Sequence, residues 1–146
     1  MPSPRIPRRR FIQVSACAAL AGGLGGCASL AAVRVGASDG RARLVLADHP
    51  QLSTPGGWLR VQPDTLPHPL IVLAEGGDAF TVLSPVCTHR QCIVDVAGAR
   101  LVCPCHGSEY DRAGEVLVGP AEVALARYPA TVTTGGELVI ELDERS

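Results

Sequence analysis

Two short segments concentrate nearly all of the reactive side chains of this 146-residue chain: Cys87-Thr88-His89-Arg90-Gln91-Cys92 and, ten residues on, Cys103-Pro104-Cys105-His106-Gly107-Ser108. Each offers a thiolate and an imidazole at very short spacing, with a further cysteine beside them. A thiolate and an imidazole a few residues apart on a tight loop can point to one centre. Two such loops supply the four soft and borderline ligands that suit either zinc or an iron-sulfur cluster. His49 and His68 sit in Pro-containing turns without a partner at ligand spacing. Cys17 reads as a small apolar residue of the N-terminal segment.

Together the two segments spell C-x-H-x-x-C and C-x-C-H-x-S, which resembles the Rieske proteins, in which two histidines replace two cysteines on one iron of a [2Fe-2S] cluster. The resemblance extends over about residues 41 to 142, one domain in size. It implies that Cys87 and Cys103 hold one iron, that His89 and His106 hold the other, and that Cys92 and Cys105 form a disulfide between the loops. A cross-link closing a loop of about this length stabilises by on the order of 3 kcal/mol, mainly by restricting the unfolded chain. In the high-potential members a serine and a tyrosine after the second histidine donate hydrogen bonds to cluster sulfurs. Ser108 and Tyr110 stand at those positions, so the resemblance implies a potential in the upper part of the range of roughly -150 to +300 mV. Gly119-Pro120-Ala121 matches a proline-bearing loop that covers the cluster from a third side. A structural zinc site is the competing reading of the same ligands, but zinc sites usually pair like ligands and need no flanking disulfide. Oxygenase-type Rieske domains usually lack the disulfide cysteines, which sets Cys92 and Cys105 against that branch.

The N-terminus points to export. Arg8-Arg9-Arg10-Phe11-Ile12-Gln13 resembles a twin-arginine signal, and residues 11 to 33 carry no charge. That run is diluted by Ala, Gly and Ser, as expected of a leader rather than a strong spanning helix. A route that carries folded proteins suits a cofactor inserted before export, because its ligands must already be held by a folded chain. Leu24-Gly25-Gly26-Cys27 resembles a lipobox, which would make Cys27 a lipidated first residue. An uncleaved leader is the alternative, since 23 uncharged residues could cross a ~30 Å hydrocarbon core at 1.5 Å per residue. Simple cleavage is the third. All three put the domain on the periplasmic side or outer face of a bacterial membrane, where a disulfide persists.

The elements that must position the loops read as all-β, with antiparallel sheets and a small cluster-binding subdomain after the leader. Residues 1-27 form the signal, 28-40 a linker, 41-142 the domain and 143-146 a tail. Strands are expected over Arg41-Ala47, Gly57-Gln62, Leu70-Glu75, Ala79-Leu83, Ile93-Ala97, Arg100-Val102, Glu115-Val118, Ala126-Tyr128, Ala130-Thr133 and Glu137-Leu142. Gly76-Gly77, Gly98 and Gly135-Gly136 turn the hairpins. Val33 to Gly40 carries Gly36, Ser38, Asp39 and Gly40, which discourage regular structure. Outside the leader no segment shows sustained helical periodicity.

The whole chain has 13 basic residues, all arginine, against 14 acidic ones. Four of the arginines precede Cys27, so the remainder carries about five net negative charges. That leaves no footprint for nucleic acid and suits a basic partner such as a cytochrome. No phosphate-cradling glycine motif or nucleophile elbow is present. The expected function is one-electron transfer outside the cytoplasm, by an electron-transfer protein or a subunit of an oxidoreductase complex rather than an enzyme alone. The iron-sulfur subunit of a quinol-cytochrome c reductase, working with a cytochrome b subunit, is one form of this. A stand-alone carrier or a small subunit of a molybdenum oxidase is another, because Arg90-Gln91 replaces the Leu-Gly of the quinol-docking tip. A non-redox binding module with a structural metal is the remaining alternative. Arg8 and Arg9 changed together to Lys should block export of folded protein, measured by fractionation. Cys27→Ala should release the domain from membranes if lipid is the anchor.

Overall fold

In a computed structural model, residues 31-143 are described. The twin-arginine segment, Cys17 and the lipobox with Cys27 lie outside them. Among the described residues twelve strands form three four-stranded sheets. The first contains β1 (Val33–Val35), β4 (Trp58–Pro63), β5 (Leu70–Gly76) and β6 (Ala79–Leu83), in that order. The second runs β11 (Ala130–Val132), β12 (Glu137–Glu141), β3 (Arg41–Val45) and β2 (Ala37–Ser38). The third runs β10 (Val116–Val118), β9 (Glu109–Tyr110), β8 (Arg100–Val102) and β7 (Asp95–Ala97). Among the described residues the helical elements are two 3-10 turns, Leu46–Asp48 and Pro50–Leu52.

Strand β5 explains how three sheets share two cores. Its first five residues, Leu-Ile-Val-Leu-Ala, are all buried. Alternate side chains leave a strand on opposite faces, and a strand buried on both reads as a continuous apolar run. Leu70, Val72 and Ala74 pack with Ala42, Leu44, Leu59, Val61, Val82, Leu138 and Ile140 into the core between the first and second sheets. Ile71 and Leu73 point the other way, into a core with Leu83, Val94, Leu101, Tyr110 and Leu125 that carries the third sheet. Strand β3 shows the contrasting pattern. Ala42 and Leu44 face inward, while Arg41 and Arg43 face water and pair with Glu141 and Glu137 of β12 at 3.7 and 3.8 Å. Those exposed pairs contribute about 0-1 kcal/mol each.

A buried-side guanidinium closes one seam between the first and third sheets. Arg112, in the turn between β9 and β10, donates to the Ala74 carbonyl at 3.0 Å and the Glu75 carboxylate at 3.2 Å. It reaches the Gly56 and Gly57 carbonyls at 3.4 Å.

Most expected strands form within a residue or two of their predicted ends, and three differences have physical causes. Val33 to Gly40, expected as linker, contains β1, parallel to β4, and β2, antiparallel to β3. Val33 and Val35 gain burial against the first core. Asp39 and Gly40, both at positive φ, make the tight turn into β3 rather than ending structure. Ala126-Tyr128 supplies only one bridge, Arg127 to Leu83, and not a strand. The first hairpin of the third sheet is shorter than expected because residues 93 and 94 pair instead with 86 and 85 in the stem of the first Cys-His loop.

Candidate metal centre

Both Cys-His segments are loops standing on the second core, and the same backbone device shapes each. The Cys87 carbonyl accepts the Gln91 N–H at 2.8 Å, and the Cys87 N–H donates to the Cys92 carbonyl at 2.7 Å. In the second loop the Cys103 carbonyl accepts the Gly107 N–H at 3.0 Å, and the Cys103 N–H donates to the Ser108 carbonyl at 2.8 Å. The fifth residue of each turn has positive φ, 59° at Gln91 and 78° at Gly107. Glycine meets that requirement freely, whereas Gln91 bears the left-handed penalty of a residue with a Cβ. The β7–β8 hairpin, turning at Gly98, carries the chain from one loop to the other.

Cys92 and Cys105 are joined, with an S–S distance of 2.05 Å and Cα atoms 6.5 Å apart. Cys87 and Cys103 are free, and both are about 1% exposed in the second core. The Cys103 sulfur lies within 4.8 Å of both disulfide sulfurs. That trio cannot be a thiolate metal site, because two of its members are consumed by their bond to each other. The His89 and His106 rings meet edge to face with centroids 4.9 Å apart. His106 is exposed and His89 half-buried. His89 Nδ1 is buried without a hydrogen-bond partner. A buried ring nitrogen is costly to leave unpaired, and a metal bond would satisfy it.

Tyr110 and Ser108 are fully buried beneath the loops. The Tyr110 hydroxyl lies 3.2 Å from Cys87 Sγ, and it accepts the Thr88 N–H at 3.3 Å. Burial raises the Cys87 thiol pKa. Hydrogen bonds from the Tyr110 hydroxyl, the His89 backbone, the Cys103 thiol and the Arg90 backbone outweigh burial, so the net direction is downward, toward thiolate. Burial and the neighbouring Cys87 raise the Tyr110 pKa, and bonds from Thr88 offset this in part. The phenol therefore keeps its proton and can donate it to a thiolate. The Ser108 hydroxyl accepts the Ala121 N–H at 3.0 Å, which fixes the Gly119-Pro120-Ala121 loop beside the second Cys-His loop and leaves the hydroxyl proton to be donated elsewhere.

Thr88 is a site residue that the sequence reading missed. Its hydroxyl donates to the Val123 carbonyl at 2.6 Å and lies 3.1 Å from the Tyr110 hydroxyl, tying the third loop to the first. The one local signal was its place between Cys87 and His89. His49 and His68 are not brought to the centre; His49 joins the two 3-10 turns, and His68 lines an open cleft with Leu66, Tyr128 and Asp143.

The model of the Rieske [2Fe-2S] domain matches residues 44–129. The chain belongs to the Rieske [2Fe-2S] domain family. Over 70 residues it is 46% identical to the cytochrome b6-f complex iron-sulfur subunit of Synechococcus elongatus, a match covering 44% of this chain and 39% of that subunit. To subunit 2 from Synechocystis sp. it is 38% identical over 76 residues, or 49% of this chain and 42% of that one. This chain therefore matches about two fifths of the length of these relatives. The crystal structure of the cyanobacterial plasma membrane Rieske protein PetC3 from Synechocystis PCC 6803 superposes with a TM-score of 0.54 at 30% identity, covering 66% of this chain and 93% of that one. A ferredoxin-oxygenase complex of carbazole 1,9a-dioxygenase, at 24% identity and a TM-score of 0.53, shares the fold.

The cofactor of this Rieske domain is a [2Fe-2S] cluster, and the donor set fits it. Two buried free thiols and two adjacent imidazoles, one with its Nδ1 unpartnered, remain after the disulfide is accounted for. Relief of the left-handed strain in the first loop is directly measurable. Gln91→Gly removes a penalty of about 1-2 kcal/mol. Added freedom of the unfolded chain returns about 0.5-1 kcal/mol of that. Urea denaturation should show a net gain of about 0.5-1 kcal/mol with an unchanged m-value.

Proposed function

We propose that this chain is an extracytoplasmic one-electron carrier whose cluster is held by Cys87 and Cys103 on one iron and by His89 and His106 on the other. The carrying observation is the unpartnered buried Nδ1 of His89, edge to face with His106 and beside two buried free thiols. When bound, such a cluster takes up and releases one electron. The protein's part is to hold the ligands rigid and to set the electrostatics. The Tyr110 hydroxyl, 3.2 Å from Cys87 Sγ, can donate to a thiolate there, and Ser108, anchored through Ala121 N–H, has a proton to direct at sulfur. Donors to sulfur favour the more negative, reduced state. His106, at the surface, offers the exit for the electron.

The relatives' names, iron-sulfur subunits of cytochrome b6-f complexes, support a cytochrome as partner; a cytochrome b subunit in a quinol-cytochrome c reductase, with membrane attachment through the N-terminus, is what the sequence resemblance adds. Among the described residues no helix is long and apolar enough to cross a membrane, so attachment would be the task of the segment before residue 31. A stand-alone carrier, or a small subunit of a molybdenum oxidase, is favoured by one observation. Arg90 and Gln91 are exposed beside His89, and a guanidinium is costly to bury in an apolar quinol pocket.

Protein isolated anaerobically should contain two irons and two labile sulfides per chain. Its reduced form should give the EPR signal of a one-electron-reduced cluster, with a lower average g than an all-cysteine [2Fe-2S] cluster. His106→Ala should lose the cluster, and one zinc per chain with no reducible signal would refute the reading. Tyr110→Phe should leave fold and ligands intact but lower the midpoint potential. A charge-assisted hydrogen bond of roughly 1.5-3 kcal/mol corresponds to an upper figure of ~65-130 mV for one electron.

A further inference from the structure

One buried charge lies outside the ligand set and close to it. Arg60, in β4, is 6% exposed. It stands opposite Ile71 of β5, so its side chain leaves the first sheet on the face that carries the second core, the face of Trp58 and Leu73. Its Nη2 donates to the Val94 carbonyl and to Asp95 Oδ1, each at 2.9 Å, and its Nε is buried with no partner. The ion pair is lopsided. The Asp95 side chain is 58% exposed and screened by water, while the guanidinium is desolvated.

Val94 belongs to the stem of the first ligand loop. Cys87 N–H donates to the Cys92 carbonyl, Val86 bridges Ile93, and Val94 N–H donates to the Pro85 carbonyl at 2.8 Å. The carbonyl gripped by Arg60 is thus two residues beyond Cys92, at most about 7 Å along the extended chain. At that range a desolvated positive charge acts on the ligand loop through protein rather than through salt water.

We propose that Arg60 is a positioning residue of the cluster. It clamps the first ligand loop to the first sheet through Val94, and its buried charge stabilises the reduced state. Two other ion pairs involve the third sheet and the turn between β9 and β10, Arg100 with Glu109 and Arg112 with Glu75. Arg60 differs in that its carboxylate partner is mostly in water. The proposal rests on the cluster assignment given above.

The test uses the full chain with its cluster loaded and three variants, Arg60→Met, Arg60→Lys and Asp95→Asn. Arg60→Met should lower the midpoint potential by an amount insensitive to salt. It should also speed amide exchange at Cys87 and Val94 by about tenfold or more. Arg60→Lys keeps the charge without the fork, so it should restore most of the potential while leaving exchange fast. Asp95→Asn keeps an acceptor oxygen but loses the negative charge, so it should raise the potential at low ionic strength. Loaded Arg60→Met with the wild-type potential would overturn the electrostatic role, and wild-type exchange rates would overturn the clamp. Should Arg60→Met fail to fold, Arg60→Gln takes its place, and a loaded Arg60→Gln with the wild-type potential and wild-type exchange rates overturns the proposal. A wild-type chain that binds no iron would instead defeat the cluster assignment, and the exchange comparison would then decide the clamp on the metal-free chain.

Discussion

Burial of β5 on both faces is the constraint from which the rest of the molecule follows. Leu70, Val72 and Ala74 belong to one core, and Ile71 and Leu73 to the other. Each large aliphatic side chain so buried stabilises by roughly 1.5-3 kcal/mol. The chain has only five aromatic residues, so neither core can be built around large rings, and aliphatic strand faces supply most of the apolar area. The first sheet therefore becomes the shared middle layer, with a structural sheet on one side and the ligand loops with their supporting sheet on the other. Cys87 and Cys103 are members of the second core as well as candidate ligands, so the floor of the metal centre is also packing.

On that floor the two loops are held by repetition of one device. Each cysteine closes a turn with its carbonyl and the next ring of the stem with its N–H, and each turn passes through positive φ. The disulfide then joins the loops at the surface side of the core, where few side chains could otherwise pack. Backbone geometry, cross-link and buried thiols together preorganise the candidate ligands. Thr88 and Ser108 extend the restraint to the third loop, through the Val123 carbonyl and the Ala121 N–H.

Buried polar groups in this domain cluster where sheets and loops meet. Arg60 and Arg112 both bridge between the first sheet and the cluster-bearing half, and both donate to backbone carbonyls, those of Val94 and Ala74. A guanidinium offers several donors in a fixed plane, so one side chain can replace several missing ladder bonds at such a seam. Tyr110 plays the comparable part under the first loop, with its ring in the core and its hydroxyl among Cys87 and Thr88.

What the sequence determined by itself was chemical and local. The spacing of Cys87, His89, Cys103 and His106 declared a metal centre, and resemblance added the pairing of Cys92 with Cys105, which the structure contains. Period-two alternation and glycine turns located most strands, because those signals act between neighbours in the chain. Only the tertiary structure decided what depends on residues far apart. Val33 to Val35 becomes a strand because β4 offers an edge parallel to it, 28 residues along by register. Residues 109 and 110 pair because β8 and β10 flank them, although a two-residue strand has no periodicity to read. Arg60, an apparently misplaced charge in an apolar strand, finds its carbonyl 34 residues away. Gln91 holds a left-handed conformation that its own side chain disfavours, because the loop closed by Cys87 and Cys92 leaves it no other. Local preference cannot report such placements, since the energy that stabilises them arises only when the two cores close.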